Sequence, residues 1–161
     1  MAVTQQIARL TDALVDKCAL DSTALDSVCA GVALAADDYA DLDWAPNLLE
    51  KAASRAGIDS AVVEALKRST DGDAEVHPGY AGIYSAYATP TYLSASAVKS
   101  VSAMLDSIDS STLLAPDVVE DVVAGMAIVR PFEYLVDYFD RLRDFYRESM
   151  HRGLAVLLWW D

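Results

Sequence analysis

Residues 131–160 read PFEYLVDYFDRLRDFYRESMHRGLAVLLWW, and this stretch decides the fold. Phe132, Leu135, Phe139, Leu142, Tyr146 and Met150 recur at steps of three and four, which lays one apolar stripe along a helix from Pro131 to about Arg152. Asp137, Arg141, Asp144, Glu148 and Arg152 occupy the other face. The spacing predicts the pairs Asp137–Arg141 and Glu148–Arg152, each worth about 0.2–0.5 kcal/mol. Gly153 ends the helix. Leu154–Trp160 is then a near-continuous apolar run of strand length, which suits an interior strand covered on both faces. Alternation turns one of Trp159 and Trp160 inward and the other outward.

Working outward, residues 3–10 read as a first strand lying with the last one under the long helix. Thr11 or Asp12 caps a helix to about Cys18. Asp21–Val32 reads as a second helix, with Leu25, Val28, Cys29 and Val32 on its apolar face. Asp37–Asp43 is an acidic connection able to hold a short strand. A helix follows Pro46, with Leu48, Leu49 and Ala52 inward and Gly57 as its stop. Asp59 caps the next helix, which buries Val62, Val63 and Leu66. Ser69–Gly82 reads as loop, and Ile83–Leu93 as strand and turn. Ser94 caps a helix to about Ile108, with Val98, Val101 and Leu105 on its stripe. Pro116 opens a helix with Val118, Val119, Val122 and Val123 inward, although so valine-rich a run also suits extended chain. The sum is an α+β fold: a helix-rich single domain over residues 1–161, built around a small sheet.

Composition agrees. A chain of 161 residues buries roughly 70% of the surface it exposes when unfolded, so its core needs no disulfide or metal staple. Its 12 Lys+Arg face 25 Asp+Glu, a formal charge of −13. That excess argues against a nucleic-acid partner, because phosphate binding runs on clustered cations. It argues against anionic membrane surfaces for the same reason. The N-terminus lacks the basic segment and apolar run of a secretory leader. Cys18 and Cys29 show no metal-ligand spacing. They read as reduced thiols in a cytoplasmic protein, with a single disulfide in an exported one as the alternative.

The sequence carries no GxSxG, HExxH, phosphate-binding loop or GxGxxG. His77 reads as a turn residue before Pro78, and His151 as a cation near a helix C-terminus. The cluster Asp37, Asp38, Asp41 and Asp43 is the best candidate for a charged site. If 41–43 is extended, Asp41 and Asp43 share a face, where they could hold a hard cation or work as an acid–base pair. The competing reading is a solvated turn with one Asp capping the following helix. Asp71-Gly72-Asp73 lacks the alternating acids and closing Glu of a calcium loop. Tyr80, Tyr84, Tyr87 and Tyr92 crowd one segment, either as interface residues or as ordinary packing on strand faces.

Three segments resemble one family. Tyr138-Phe-Asp-Arg-Leu-Arg-Asp-Phe-Tyr146 followed by Gly153–Trp159 is similar to the end of the YfbM-like proteins, small bacterial proteins of unknown function. Tyr87-Ala-Thr-Pro-Thr-Tyr92-Leu-Ser94, leading to Val98-Lys99, resembles that family's YGPxRYLT stretch. Asp41-Leu-Asp43-Trp44 resembles its LDLDKAW-type segment. The chain departs at Ala45-Pro46-Asn47, where the family often has His-Gly, and at Thr91, where it has arginine. An insertion before the last helix is missing at Arg130-Pro131-Phe132. The resemblance implies a compact α/β-type domain and supplies no activity.

These readings favour a non-catalytic binding or protein-interaction domain with no cofactor, either monomeric or a weak homodimer. Asp41, Asp43, Trp44, Tyr84, Tyr87 and Tyr92 are its candidate binding residues. A basic protein is the expected partner, since charge complementarity speeds encounter. An immunity or antitoxin-like protein covering a basic toxin is the sharper form. The alternatives are a carboxylate enzyme, possible metal assistance included, built on Asp41 and Asp43, and a structural subunit with an apolar patch at Trp159 or Trp160.

Overall fold

The computed structural model describes residues 3–161; Met1 and Ala2, part of the terminus read above against a leader, lie outside it. The chain runs β1 (Gln5–Leu10), α1 (Asp12–Leu20), α2 (Ser22–Cys29), β2 (Tyr39–Asp43), α3 (Ala45–Arg55), α4 (Ser60–Asp71) and β3 (Ala74–Glu75). It continues through β4 (Thr91–Leu93), α5 (Ala95–Asp106), α6 (Ser110–Leu113), α7 (Pro116–Val122), α8 (Pro131–His151) and β5 (Ala155–Trp160). The strands form one sheet in the order β2-β1-β5-β4-β3, antiparallel throughout. The architecture is α+β, as the helical stripe and terminal apolar run predict.

β5 lies at the centre of the sheet and pairs with β1 over six residues, from Gln5–Trp160 to Leu10–Ala155. Every β5 residue from Ala155 to Trp159 is buried, which is why this strand is apolar on both faces. Ile7, Val156 and Leu158 turn toward a layer made of α3–α8. Ala8, Leu10, Leu157 and Trp159 turn the other way, toward α1, α2, Val76 and Tyr80. Trp159 and Trp160 take opposite faces, but both faces are covered, so Trp159 is buried and Trp160, at the strand's end, is half-buried rather than outward.

Leu135, Phe139, Leu142 and Tyr146 of α8 are fully buried, each contributing roughly 1.5–3 kcal/mol by leaving water. Phe132 departs from the stripe: it is 46% exposed in the first turn of α8. Met150 is half-buried. The predicted i,i+4 ion pairs do not form. Arg141 instead donates to the Asp41 carbonyl at 3.1 Å, and Arg152 pairs with Asp38. The ion pairs within α8 are i,i+3, Asp140–Arg143 at 2.7 Å and Asp144–Arg147 at 2.6 Å.

The helix starts sit where the cap residues place them. Thr11, Asp21, Asp59 and Ser94 each accept a backbone N–H from the first turn of the following helix. Other boundaries move. Helix α2 ends at Cys29, leaving Val32 82% exposed rather than inward. Helix α4 runs on through Ser69 to Asp71, and the supposed loop then forms the short strand β3 against β4. The valine-rich run from Pro116 is helical, burying Val118 and Val119. Gly72 ends α4 at φ 71°, ψ −179°, a conformation essentially confined to glycine. A Cβ there would lie 2.7 Å from Thr91 Oγ1, so the bare glycine lets α4 close onto β4.

Arg9 on β1 is a buried cation that periodicity does not reveal. Its guanidinium stacks over the Phe145 ring at 4.0 Å and donates to Ser149 Oγ at 3.1 Å. It also donates to the Asp37 carbonyl, and Asp38 lies 3.7 Å away. Burial pushes its pKa down, against the opposing pull of Asp38. No helix among the described residues is long and apolar enough to cross a membrane.

Candidate functional site

Asp41 and Asp43 form a turn. Strand β2 holds an extra residue against β1, since Gln6 pairs with Asp41 while the adjacent Gln5 pairs with Asp43. That bulge breaks the strict alternation on which a shared carboxylate face depends. Asp43 then adopts φ 52°, a left-handed conformation that Asp tolerates better than most residues. Its N–H donates to Asp41 Oδ1 at 2.7 Å, and Tyr134 Oη donates to Asp43 Oδ2 at 3.0 Å. Burial and the Asp43 carboxylate both push the Tyr134 phenol upward in pKa. The Asp41 carboxylate thus closes the bend from β2 into α3, and the Asp43 carboxylate ties that bend to α8. No group of three or more His, Cys, Asp or Glu able to hold a metal ion occurs among the described residues.

The bend sets Trp44 at the start of α3, where it is 45% exposed. Trp44, Asn47, Tyr87 and Trp160 meet around an open cleft of about 330 Å³, with Val3 and Ala88 completing its wall. Three aromatic rings therefore converge from segments distant in sequence. Trp44 arrives from the β2–α3 bend, Tyr87 from the loop before β4, and Trp160 from the end of β5. Tyr87 is 58% exposed. On the far side of Trp44 and Asn47 a broader groove of about 760 Å³ runs between α3 and α7. Met126 lines that groove, and an Arg55–Asp121 ion pair of 2.8 Å spans the two helices.

Tyr84 and Tyr92 do not join this cleft. Both pack against the core on the opposite face of the sheet, beside Tyr80. The Tyr80 hydroxyl donates to Asp26 and is pushed upward in pKa, by burial first and by that carboxylate second. The crowded tyrosine segment thus divides, with Tyr87 at the surface and the others in packing. His77 Nδ1 lies 3.1 Å from the Cys18 carbonyl oxygen, which ties the 77–80 turn to α1. His151 is exposed in the last turn of α8.

Behind Trp160 the cleft meets a smaller chamber of about 190 Å³. Gln5, Thr70, Asp71, Thr89, Thr91, Trp159 and Trp160 line it, with Ala88 and Leu158. Gln5 is 1% exposed; its Nε2 donates to the Thr70 carbonyl, while its Oε1 accepts no hydrogen bond. Thr70 Oγ1 donates to Glu50 Oε1 at 2.6 Å, and burial pushes the Glu50 carboxyl above its usual range. Gln5 and Trp160 escape residue-by-residue reading. Their one sequence signal is that the opening and closing strands, once paired, must bring their outer ends together.

Known proteins place the fold without assigning chemistry. A solved structure of a protein of unknown function, YfbM from Escherichia coli, matches with a TM-score of 0.64 at 13% identity, over 98% of this chain and 99% of that one. No curated protein matches the chain in sequence. The model of a family described as a domain of unknown function, DUF1877, matches residues 64–159, from within α4 through most of β5, and the chain belongs to that family.

Proposed function

We propose that this chain is a non-catalytic protein-interaction domain that receives a basic partner at the cleft of Trp44, Tyr87 and Trp160. One observation carries the reading: three aromatic side chains from separate segments line one open cleft, Trp44 and Tyr87 exposed and Trp160 half-buried, and none of them belongs to either core. Tryptophan and tyrosine are the residues most enriched among those dominating interface energetics. The charge of −13 favours a basic partner and accelerates its approach. An immunity-like protein covering a basic toxin is the sharper form, using the same surface. Cys18 and Cys29 are buried and unlinked, which suits a reducing cytoplasm. The carboxylate-enzyme reading draws no support from Asp41, which closes the bend, or from Asp43, which accepts from Tyr134.

The test compares wild type with the double variant Trp44→Ala/Tyr87→Ala as bait in the source cell's lysate, at low and high salt. Melting temperatures confirm that both baits are folded. A basic protein retained by wild type, weakened by salt and lost from the variant is the expected result. Identical profiles from both baits would overturn the reading. Retention of a second copy of this chain alone would replace it with self-association.

A further inference from the structure

The chamber behind Trp160 presents hydrogen-bond acceptors, the hydroxyls of Thr89 and Thr91, and no cation. Its lining residues include no Lys, Arg or His. Gln5 brings an amide oxygen that is buried and unpartnered, and Asp71 brings a carboxylate at the rim. The Thr70 hydroxyl already directs its proton toward Glu50. Thr70 and Asp71 are also the last residues of the twelve-residue helix α4, whose C-terminal end carries partial negative charge. Trp160 adds an aromatic wall shared with the outer cleft. The Trp159 ring, whose Nε1 is also unpartnered, packs on the opposite face of the sheet at 6.0 Å from Tyr39.

We propose that this chamber is a socket for the cationic head of an arginine or lysine side chain on the basic partner. The inference rests on the interaction reading above and adds to it the chemical group recognised. A donor-rich cation satisfies what the chamber offers: an orphan amide oxygen, a carboxylate, a negative helix end and an aromatic face. An anionic group would meet the Asp71 carboxylate and the negative helix end as like charge, and a neutral donor would forgo their attraction. The volume agrees, since about 190 Å³ falls below the roughly 300–1,000 Å³ of sites that enclose a whole small molecule. One side-chain head fits the chamber while the partner's flanking residues lie across Trp44 and Tyr87.

The test uses N-acetyl-arginine methylamide, followed by NMR on the Trp160 indole N–H and the backbone amides of 70–72 and 88–91. N-acetyl-citrulline methylamide, of the same shape without the charge, is the control. The expected result is saturable binding of the arginine probe at a roughly millimolar Kd, and none of the citrulline probe. Asp71→Asn, at an exposed position, should weaken the arginine probe about threefold to fivefold, the loss of one partly exposed ion pair. Lys99→Ala, exposed on α5 and outside both the chamber and the cleft, should leave its binding unchanged. Equal response to both probes, no response to arginine, or indifference to Asp71→Asn would overturn the socket. Failure of the probe with partner capture still dependent on Trp44 and Tyr87 removes the socket alone. A working socket with capture indifferent to those residues removes the interaction reading instead.

Discussion

Replacing Gly72 by alanine tests the close approach of α4 to β4 that builds the inner chamber. Two penalties act at once. The backbone conformation, φ 71° and ψ −179°, is essentially restricted to glycine and costs another residue about 1–3 kcal/mol. The added Cβ meets Thr91 Oγ1 at 2.7 Å, Thr91 Cβ at 2.9 Å and the Tyr92 backbone nitrogen at 3.1 Å. Thr91 Oγ1 can turn about χ1, but Thr91 Cβ and the Tyr92 nitrogen are fixed to a paired strand, so overpacking adds about 1–3 kcal/mol. The combined loss is about 4 kcal/mol, or roughly 8–16 °C in Tm for a chain of this length. Gly153→Ala separates the two terms. Its φ of 66° imposes left-handed strain, but nothing lies within 4 Å of its added Cβ. It should lose about 1–2 kcal/mol, or roughly 2–8 °C. Thermal melts followed by circular dichroism, with urea curves for ΔG, measure both variants. Equal losses in the two would refute the reasoning, because the term specific to Gly72 would then be missing.

Glu50→Gln should raise stability at pH 7 and change it little at pH 4. A carboxyl whose folded pKa is raised by burial destabilises the fold wherever it must ionise, and that penalty vanishes below its unfolded value of about 4.3. Glutamine keeps an oxygen for the Thr70 hydroxyl; urea midpoints that fall equally at both pH values would contradict this account. Cys18 and Cys29 are buried, and burial pushes both thiols upward, so the reactive thiolate is scarce in the native state. Iodoacetamide followed by mass spectrometry should find both unmodified in buffer and both labelled in denaturant, whereas prompt native labelling of either would show an open site.

Local order was legible because it is written at short range. The stripe Leu135–Phe139–Leu142–Tyr146, the apolar run into Trp159, and the caps Thr11, Asp21, Asp59 and Ser94 each act through neighbours within a turn or along a strand. Those features suffice for an α+β fold with β1 and β5 inside. Periodicity reports which side of an element is apolar, but not where the covering layer stops. Nor does it mark where an element ends: α2 stops at Cys29 and leaves Val32 exposed, and Phe132 lies exposed in the first turn of α8. The candidate site depends on longer-range geometry. The bulge opposite Gln5 and Gln6 converts Asp41 and Asp43 from a carboxylate pair into a bend, and that bend sets Trp44 beside Tyr87 and Trp160. The acceptor left over on Gln5 exists only once β1 lies against the end of α4. Hydrophobic periodicity sets each element by itself, whereas which side chains stay uncovered, and which polar atoms stay unmatched, follows from how the layers close on one another.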